Sequence, residues 1–495
     1  MKHIRMFENA QQAASILPTL EYNTLSAIRG ESGISLKPGV PPTPSYPIPF
    51  YIDVRGPVTL ADTSGLQMST DGENWTDTVA GDLPTGKTYF RVASDQDTPL
   101  KPNWTEKSDS DYDIGGNINS LVKVNFENDT TCYIFYISYT GFFQNKSKLK
   151  SAGNLILPAT TLTESCYGYM FQNCTSLTTA PALPATTLAE YCYEMMFDGC
   201  KSLTSAPALP AMTLANNCYY CMFYGCKSLT SAPELPATTL ANMCYASMFQ
   251  GCSSLTSAPE LPATTLANNC YYCMFQGCSS LTSAPALPAT TLADVCYEYM
   301  FKGCTSLTTA PALPATTLAS NCYFDMFNGC TSLTTAPALP AMTLANSCYN
   351  SMFNGCTALT TAPELPATTL AKACYQSMFK NCSALTTAPE LPAMTMVLKC
   401  YYCMFQGCSS LTTAPELLAT TMTESCYEGM FWSCTNLNYI KCLAADISAS
   451  RCTTNLLAYV AQTGTFVKNP SISESTWRSS TSKIPSGWTV EDAQS

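Results

Sequence analysis

The chain has 495 residues and a single histidine, His3. One histidine cannot supply a Ser-His-Asp triad with a site elsewhere in the chain, a His-bearing zinc site or a His general base. Charge is scarce as well: Asp, Glu, Lys and Arg make up 12%, against about 25% in an average protein. Lys and Arg total 24 and Asp and Glu 35, for a formal net charge of −11. No basic block exists to track a nucleic-acid backbone or an anionic membrane. No apolar run approaches the ~20 residues of a spanning helix, which argues against membrane insertion. The start, MKHIRMFENAQQAASILPTLEYNTL, lacks the unbroken apolar stretch and cleavage pattern of a secretory signal.

What is abundant is a repeat. Cysteines recur with a period of 26 from Cys166 through Cys192 and Cys218 to Cys452, and a second series runs in the same step from Cys174 to Cys434, together 23 of the 28 cysteines. The unit reads LPATTLAxxCYxxMFxGCxSLTxAPx and extends over 157–443. A short period held this long specifies a solenoid. Counting from the first cysteine of a unit as position 0, apolar residues fall at −4, 0, +4, +5, +8 and +11, as in Leu162, Cys166, Met170, Phe171, Cys174 and Leu177. That spacing predicts an amphipathic α-helix, capped by the preceding Ala-Thr-Thr and closed by a left-handed Gly or Asn before the second cysteine. LTTAPAL predicts a strand of three or four residues, shortened by Pro181. The expected fold class is an α/β solenoid of eleven 26-residue strand–helix units. Helices need ~8–10 Å of stacking room and strands ~4.8 Å, so an arc with strands inside is expected.

The segment FxGCxSLT, here Phe197–Thr204 and its equivalents, resembles the BspA-like leucine-rich repeat family over about 290 residues. The unit is slightly longer than the family's usual one. The resemblance implies a repeat scaffold for binding or adhesion. The leader FENAQQAASILPTLEYNTL and the closing CLAADISAS, GTFVKNPS and IPSGWTV resemble proteins of gut Bacteroides-group bacteria and their phages.

Two cysteines eight residues apart on a helix lie ~12 Å from one another, beyond disulfide reach. Equivalent cysteines of successive units form a file of small buried thiols. Three units carry a further cysteine at +3 (Cys221, Cys273, Cys403), resembling CxxC pairs, but no four ligands converge. Neither a metal nor a cofactor is expected.

The division expected along the chain is a docking segment (1–37), a proline-rich linker (38–49) and a small β-sandwich, Ig-like (50–118). A solenoid cap (119–156), the solenoid (157–443) and a C-terminal cap (444–495) follow. Asp71-Gly72 signals a hairpin. Lys146, at the register of Cys174 in a degenerate first unit, suggests a wet outer face. Glu364, Glu390 and Glu416 recur in successive units, as solvated carboxylates or a cation site.

Eleven copies can be compared with each other. They differ chiefly at −2, −1, +2, +3, +6 and +9. The alternatives are neutral drift of a solvent face and a variable recognition surface. The aromatic and amide residues in these rows give the candidate binding set: Asn216, Tyr220, Tyr224, Asn268, Tyr272, Gln276, Phe324, Tyr402 and Trp432. No catalytic constellation recurs, so no enzyme is expected. The functional expectation is a phage virion or fibre protein, assembled in the host cytoplasm, that binds a host-surface glycan or protein and docks to other virion proteins through its N-terminal segment. The alternative is a bacterial cell-surface adhesin. A homo-oligomer is compatible with either, whereas nucleic acid is not an expected partner.

Overall fold

The computed structural model describes residues 25–30, 33–38 and 47–494, except 62 and 138–139. The expected docking segment and linker lie largely outside these residues. Strands β1 (Leu25–Gly30) and β2 (Gly33–Pro38) form an antiparallel hairpin.

The β-rich region begins with β3 (Phe50–Val54), β4 (Val58–Leu60), β5 (Leu66–Ser69) and β6 (Thr76–Asp77). It continues through β7 (Gly81–Asp82), β8 (Gly86–Val92), β9 (Trp104–Glu106) and β10 (Tyr112–Asn117). Alternating apolar residues such as Phe50, Ile52 and Val54 are buried, giving the strands one dry face. The β5–β6 turn falls at Asp71-Gly72, where Gly72 has φ +79° and the Asp71 carboxylate accepts from the backbone N–H of Glu73 and Asn74 at 2.9 and 2.8 Å. After the short pair β11 (Tyr136–Ile137) and β12 (Thr140–Gly141) comes β13 (Leu149–Ile156). It pairs in parallel with β10, completing a six-stranded sheet ordered β13-β10-β3-β8-β5-β6. A second sheet is ordered β7-β4-β9. Ser151 of β13 bridges Thr179, so the sheet of the β-rich region runs directly into the ladder of the repeats. Lys146 sits at this junction and not on a wet face. Its Nζ is 4.4 Å from the Trp104 ring centroid, donates to the Trp104 carbonyl, and burial pushes its pKa down.

The repeats contain no α-helix; among the described residues the helical segments are Ile118–Leu121 and Glu474–Ser479. The expected strand–helix unit is therefore corrected. From −1 to +8 each unit forms an arc of successive turns. Even-numbered positions donate back three residues, as Glu194 N to Tyr191 O and Met196 N to Tyr193 O. Odd-numbered positions donate across to the next unit, as Tyr191, Tyr193, Met195, Phe197 and Gly199 do to the carbonyls of Asn216, Cys218, Tyr220, Met222 and Tyr224. Half the donors that a helix would close on itself thus join neighbouring units. The geometry needs a left-handed residue every fourth position: Tyr191, Met195 and Gly199 have φ of 57°, 49° and 72°. The left-handed Gly or Asn before the second cysteine is present, but as a repeating step of the arc and not a helix stop.

The expected strand also shrinks. Around +13 the units meet in isolated parallel bridges such as Ser205↔Ser231, and at −5 in bridges such as Thr187↔Thr213. The prolines on either side cannot extend these ladders.

Inside, the side chains stack in files. Tyr rings from Tyr167 to Tyr427 and Phe rings from Phe171 to Phe431 stack unit on unit, mid-solenoid centroids lying 5.5–5.9 Å apart. This step is near the ~4.8 Å of a strand ladder and far from ~8–10 Å, so the wedge behind the expected arc is largely absent. Cysteines at 0 and +8 are fully buried. The +8 thiol donates to the Phe carbonyl of the preceding unit, as Cys278 Sγ to Phe249 O at 3.1 Å. The far end is closed by a parallel sheet of β14 (Tyr439–Cys442), β15 (Thr463–Lys468) and β16 (Gly487–Asp492), with Trp477 packed on Phe466 of β15 and Trp488 buried within β16.

Candidate functional site

The arc determines which variable side chains meet. Because buried residues come in pairs every four positions (0 and +1, +4 and +5), positions +2, +3 and +6 share the outer surface of the arc. Across four successive units they form a groove of about 390 Å³. Tyr220 and Tyr272 stand at +2 on either side of Ala246, and Tyr224, Gln250 and Gln276 form the +6 row. Cys221, Ser247 and Cys273 lie at +3, with Met195 and Asp198 at one end.

Four of the nine expected residues, Tyr220, Tyr224, Tyr272 and Gln276, therefore line one groove. Phe324 lies beyond its far end, reached through Tyr299: Tyr272–Tyr299 and Tyr299–Phe324 are edge-on contacts at 5.8 and 5.5 Å. Asn216 and Asn268 do not join it. They belong to a row at −2 that ties units together, Asn216 Nδ2 donating to Glu190 at 2.9 Å and Asn268 N to Asn242 Oδ1 at 3.2 Å. Tyr402 and Trp432 lie toward the C-terminal cap, where Lys399 approaches the Tyr402 ring at 5.7 Å and Trp432 stacks on Tyr459 at 6.5 Å.

Sequence reasoning left Met195, Ser247 and the +3 cysteines out of the site, because a helix of 3.6 residues per turn turns +3 toward a flank; Asp198 and Gln250 stand at +6, a row the comparison of copies had marked without singling them out. The spacing itself held the discriminating signal. Apolar residues at −4, 0, +4 and +8 drift by about 40° per step on a helix, whereas a four-residue repeat keeps them in line.

The groove is lightly charged. Asp198 accepts from Gln172 Nε2 at 2.7 Å, and burial pushes its carboxyl up. The Cys221 and Cys273 thiols are pushed up to about 11 and about 12 by burial, which makes them poor nucleophiles and ligands. Next to the groove, burial and the negative charge of Asp325 push Glu298 up to about 7. Asp325 is itself buried and holds Lys302 Nζ at 2.8 Å. A second groove of about 400 Å³, on the opposite side, is lined by Ala206, Ala208, Leu209 and prolines with Glu234 as its one ionisable group. Of the stacked glutamates, Glu416 is met by Lys441 Nζ at 3.1 Å. No group of three metal-ligating side chains exists among the described residues.

The sequence matches the BspA type leucine rich repeat region in overlapping stretches, 117–256, 222–360, 274–412 and 323–449. No curated protein matches it. Among solved structures, the crystal structure of a TLR13–ssRNA13 complex aligns with 72% of this chain at 14% identity and a TM-score of 0.27. The chain spans about half of that protein, 49% of its length.

Proposed function

We propose that this chain, which belongs to the BspA-type leucine-rich repeat family, is a non-enzymatic binding protein that presents its arc surface to a ligand on a cell surface. The observation that carries this reading is the convergence of three of the variable rows, +2, +3 and +6, into one aromatic and amide-lined groove on a scaffold whose core positions are near-invariant. Backbone bonds between units hold the scaffold rigid, so the variation alters what the surface recognises and leaves the frame alone.

Placement on a bacterial surface, as an adhesin, fits the family. No described helix is long and apolar enough to cross a membrane. The narrower reading, a phage virion or fibre protein docked through residues 1–37, is supported by the sequence resemblance of the leader and the closing segments. Attachment to other virion proteins, an Ig-like role for the N-terminal sheets and self-association belong to the same proposal. Mass spectrometry of purified phage particles and of bacterial envelopes from one culture separates the two placements. Binding itself is tested with beads coated with the full chain and offered to bacterial and epithelial cells. Beads carrying the Tyr220→Ala/Tyr272→Ala protein are expected to lose adhesion, and equal adhesion by both would overturn the reading.

A further inference from the structure

We propose that the groove between Tyr220 and Tyr272 takes an extended, uncharged glycan lying along the solenoid axis; this deepens the binding-protein reading and rests on it. Between the two tyrosines the groove is lined by Ser247 and Gln250, while Ala246 is fully buried and does not line it. Position +2 carries Tyr in the units of Cys218 and Cys270 but Ala246 in the unit between them. The Tyr219–Tyr245 and Tyr245–Tyr271 steps of the neighbouring file measure 5.8 and 5.9 Å. The two ring-bearing positions thus stand two unit steps apart, comparable to one disaccharide of an extended chain.

The donor and acceptor set matches hydroxyls. Gln250 Nε2 donates to Gln276 Oε1 at 2.8 Å. Among the described residues this leaves the Gln250 carbonyl oxygen and the Gln276 amide nitrogen without a protein partner, one acceptor and one donor side by side on the +6 row. A sugar hydroxyl answers both, being donor and acceptor at once. Tyr224, 41% exposed, adds a ring and a phenol to the same row. No lysine or arginine lines the groove, so nothing there selects a sulfated or phosphorylated chain. A protein hot spot calls for a deep, dry pocket; this groove is open to solvent along its Tyr224 edge. Tyr299 and Phe324 extend the aromatic row beyond Gln276, so a longer chain gains contacts that a disaccharide cannot reach.

The test is isothermal titration of the full chain with neutral hexasaccharides of β1,4-linked glucose, mannose, xylose and N-acetylglucosamine. Heparin hexasaccharide is the anionic comparison. At least one neutral hexasaccharide is expected to bind, and its disaccharide at least tenfold more weakly. Tyr220→Ala and Tyr272→Ala should each weaken binding tenfold or more. Ser247→Tyr should abolish it by filling the groove while preserving the fold, since Tyr169 and Tyr299 stand at the same left-handed position in other units; circular dichroism checks this. No neutral hexasaccharide binding at millimolar concentration, preference for heparin, or binding unchanged by Ser247→Tyr would each overturn the proposal. The bead assay separates its failure from that of the broader reading. Adhesion blocked by Ser247→Tyr but not by any hexasaccharide removes the glycan and keeps the surface-binding role. No adhesion to any cell removes both.

Discussion

The two sides of each repeat are built from one short stretch of chain but are joined to their neighbours in opposite ways. On the arc side, five backbone N–H groups per unit reach the next unit in the middle of the solenoid, and Tyr, Met, Phe and Cys files lie beneath them. On the proline-rich side, contact reduces to single bridges at +13 and −5. The arc side nevertheless carries most of the sequence variation. A dense backbone ladder uses main-chain groups, which are the same whatever side chain stands at +2 or +6. The proline-rich side is nearly invariant at the surface because Thr, Ala and Pro there set the backbone itself. Variability is thus cheapest where the main chain does the joining.

The strongest contrast expected is chemical, within the arc's own cysteine file. Buried thiols such as Cys192 and Cys270 are pushed up to about 12, whereas half-buried Cys132 at the open end is drawn down to about 7 by hydrogen bonds from Cys166 and Thr163. Brief iodoacetamide treatment of the native chain at pH 7.5, followed by peptide mass spectrometry, should label Cys132 at least a hundredfold faster than Cys270. Equal rates would show that the file is open to solvent.

Next in size is the ring file. Phe275 stacks at 5.7 Å on both Phe249 and Phe301. Phe275→Ala should cost about 3–5 kcal/mol in urea unfolding. Thr282→Ala on the exposed proline-rich side should stay within about 0.5 kcal/mol. Equal costs would erase the distinction between the sides.

A backbone version follows. Gly277 has φ +74°, so Gly277→Val should cost about 2 kcal/mol or more, since a β-branched residue resists the left-handed region. Ser283→Val, at a bridge position, should be near neutral by the same measurement.

The smallest effect concerns pH. Glu298 holds its proton up to about 7 in the folded chain, against 4.5 when unfolded. The folded state therefore binds more protons between these values, and stability falls as pH rises from 4.5 to 7. Glu298→Gln should remove that fall and raise stability at pH 8 by about 1–2 kcal/mol, after discounting for solvent screening. Thermal melts at pH 5 and pH 8 check it; identical pH slopes in both proteins would place the carboxylate in water.

Much of this molecule is legible in the repeat. The fixed period requires stacked copies, and the residues alike in every copy, Cys166, Met170, Phe171, Cys174 and their equivalents, are the buried ones. Comparing copies also located the outer rows from which Tyr220, Tyr224, Tyr272 and Gln276 come together. The apolar spacing could not say where the odd-numbered N–H groups of the arc would find acceptors. A single copy offers only its own carbonyls, and a helix is its best solution. With a second copy stacked nearly as close as a neighbouring strand, the carbonyl across the gap becomes the nearer partner, and left-handed residues at −1, +3 and +7 are the cost of turning toward it. That choice, made between copies and not within one, turned the helix into an arc, brought +3 into the groove, and set the sheet of the N-terminal region in line with the ladder through β13.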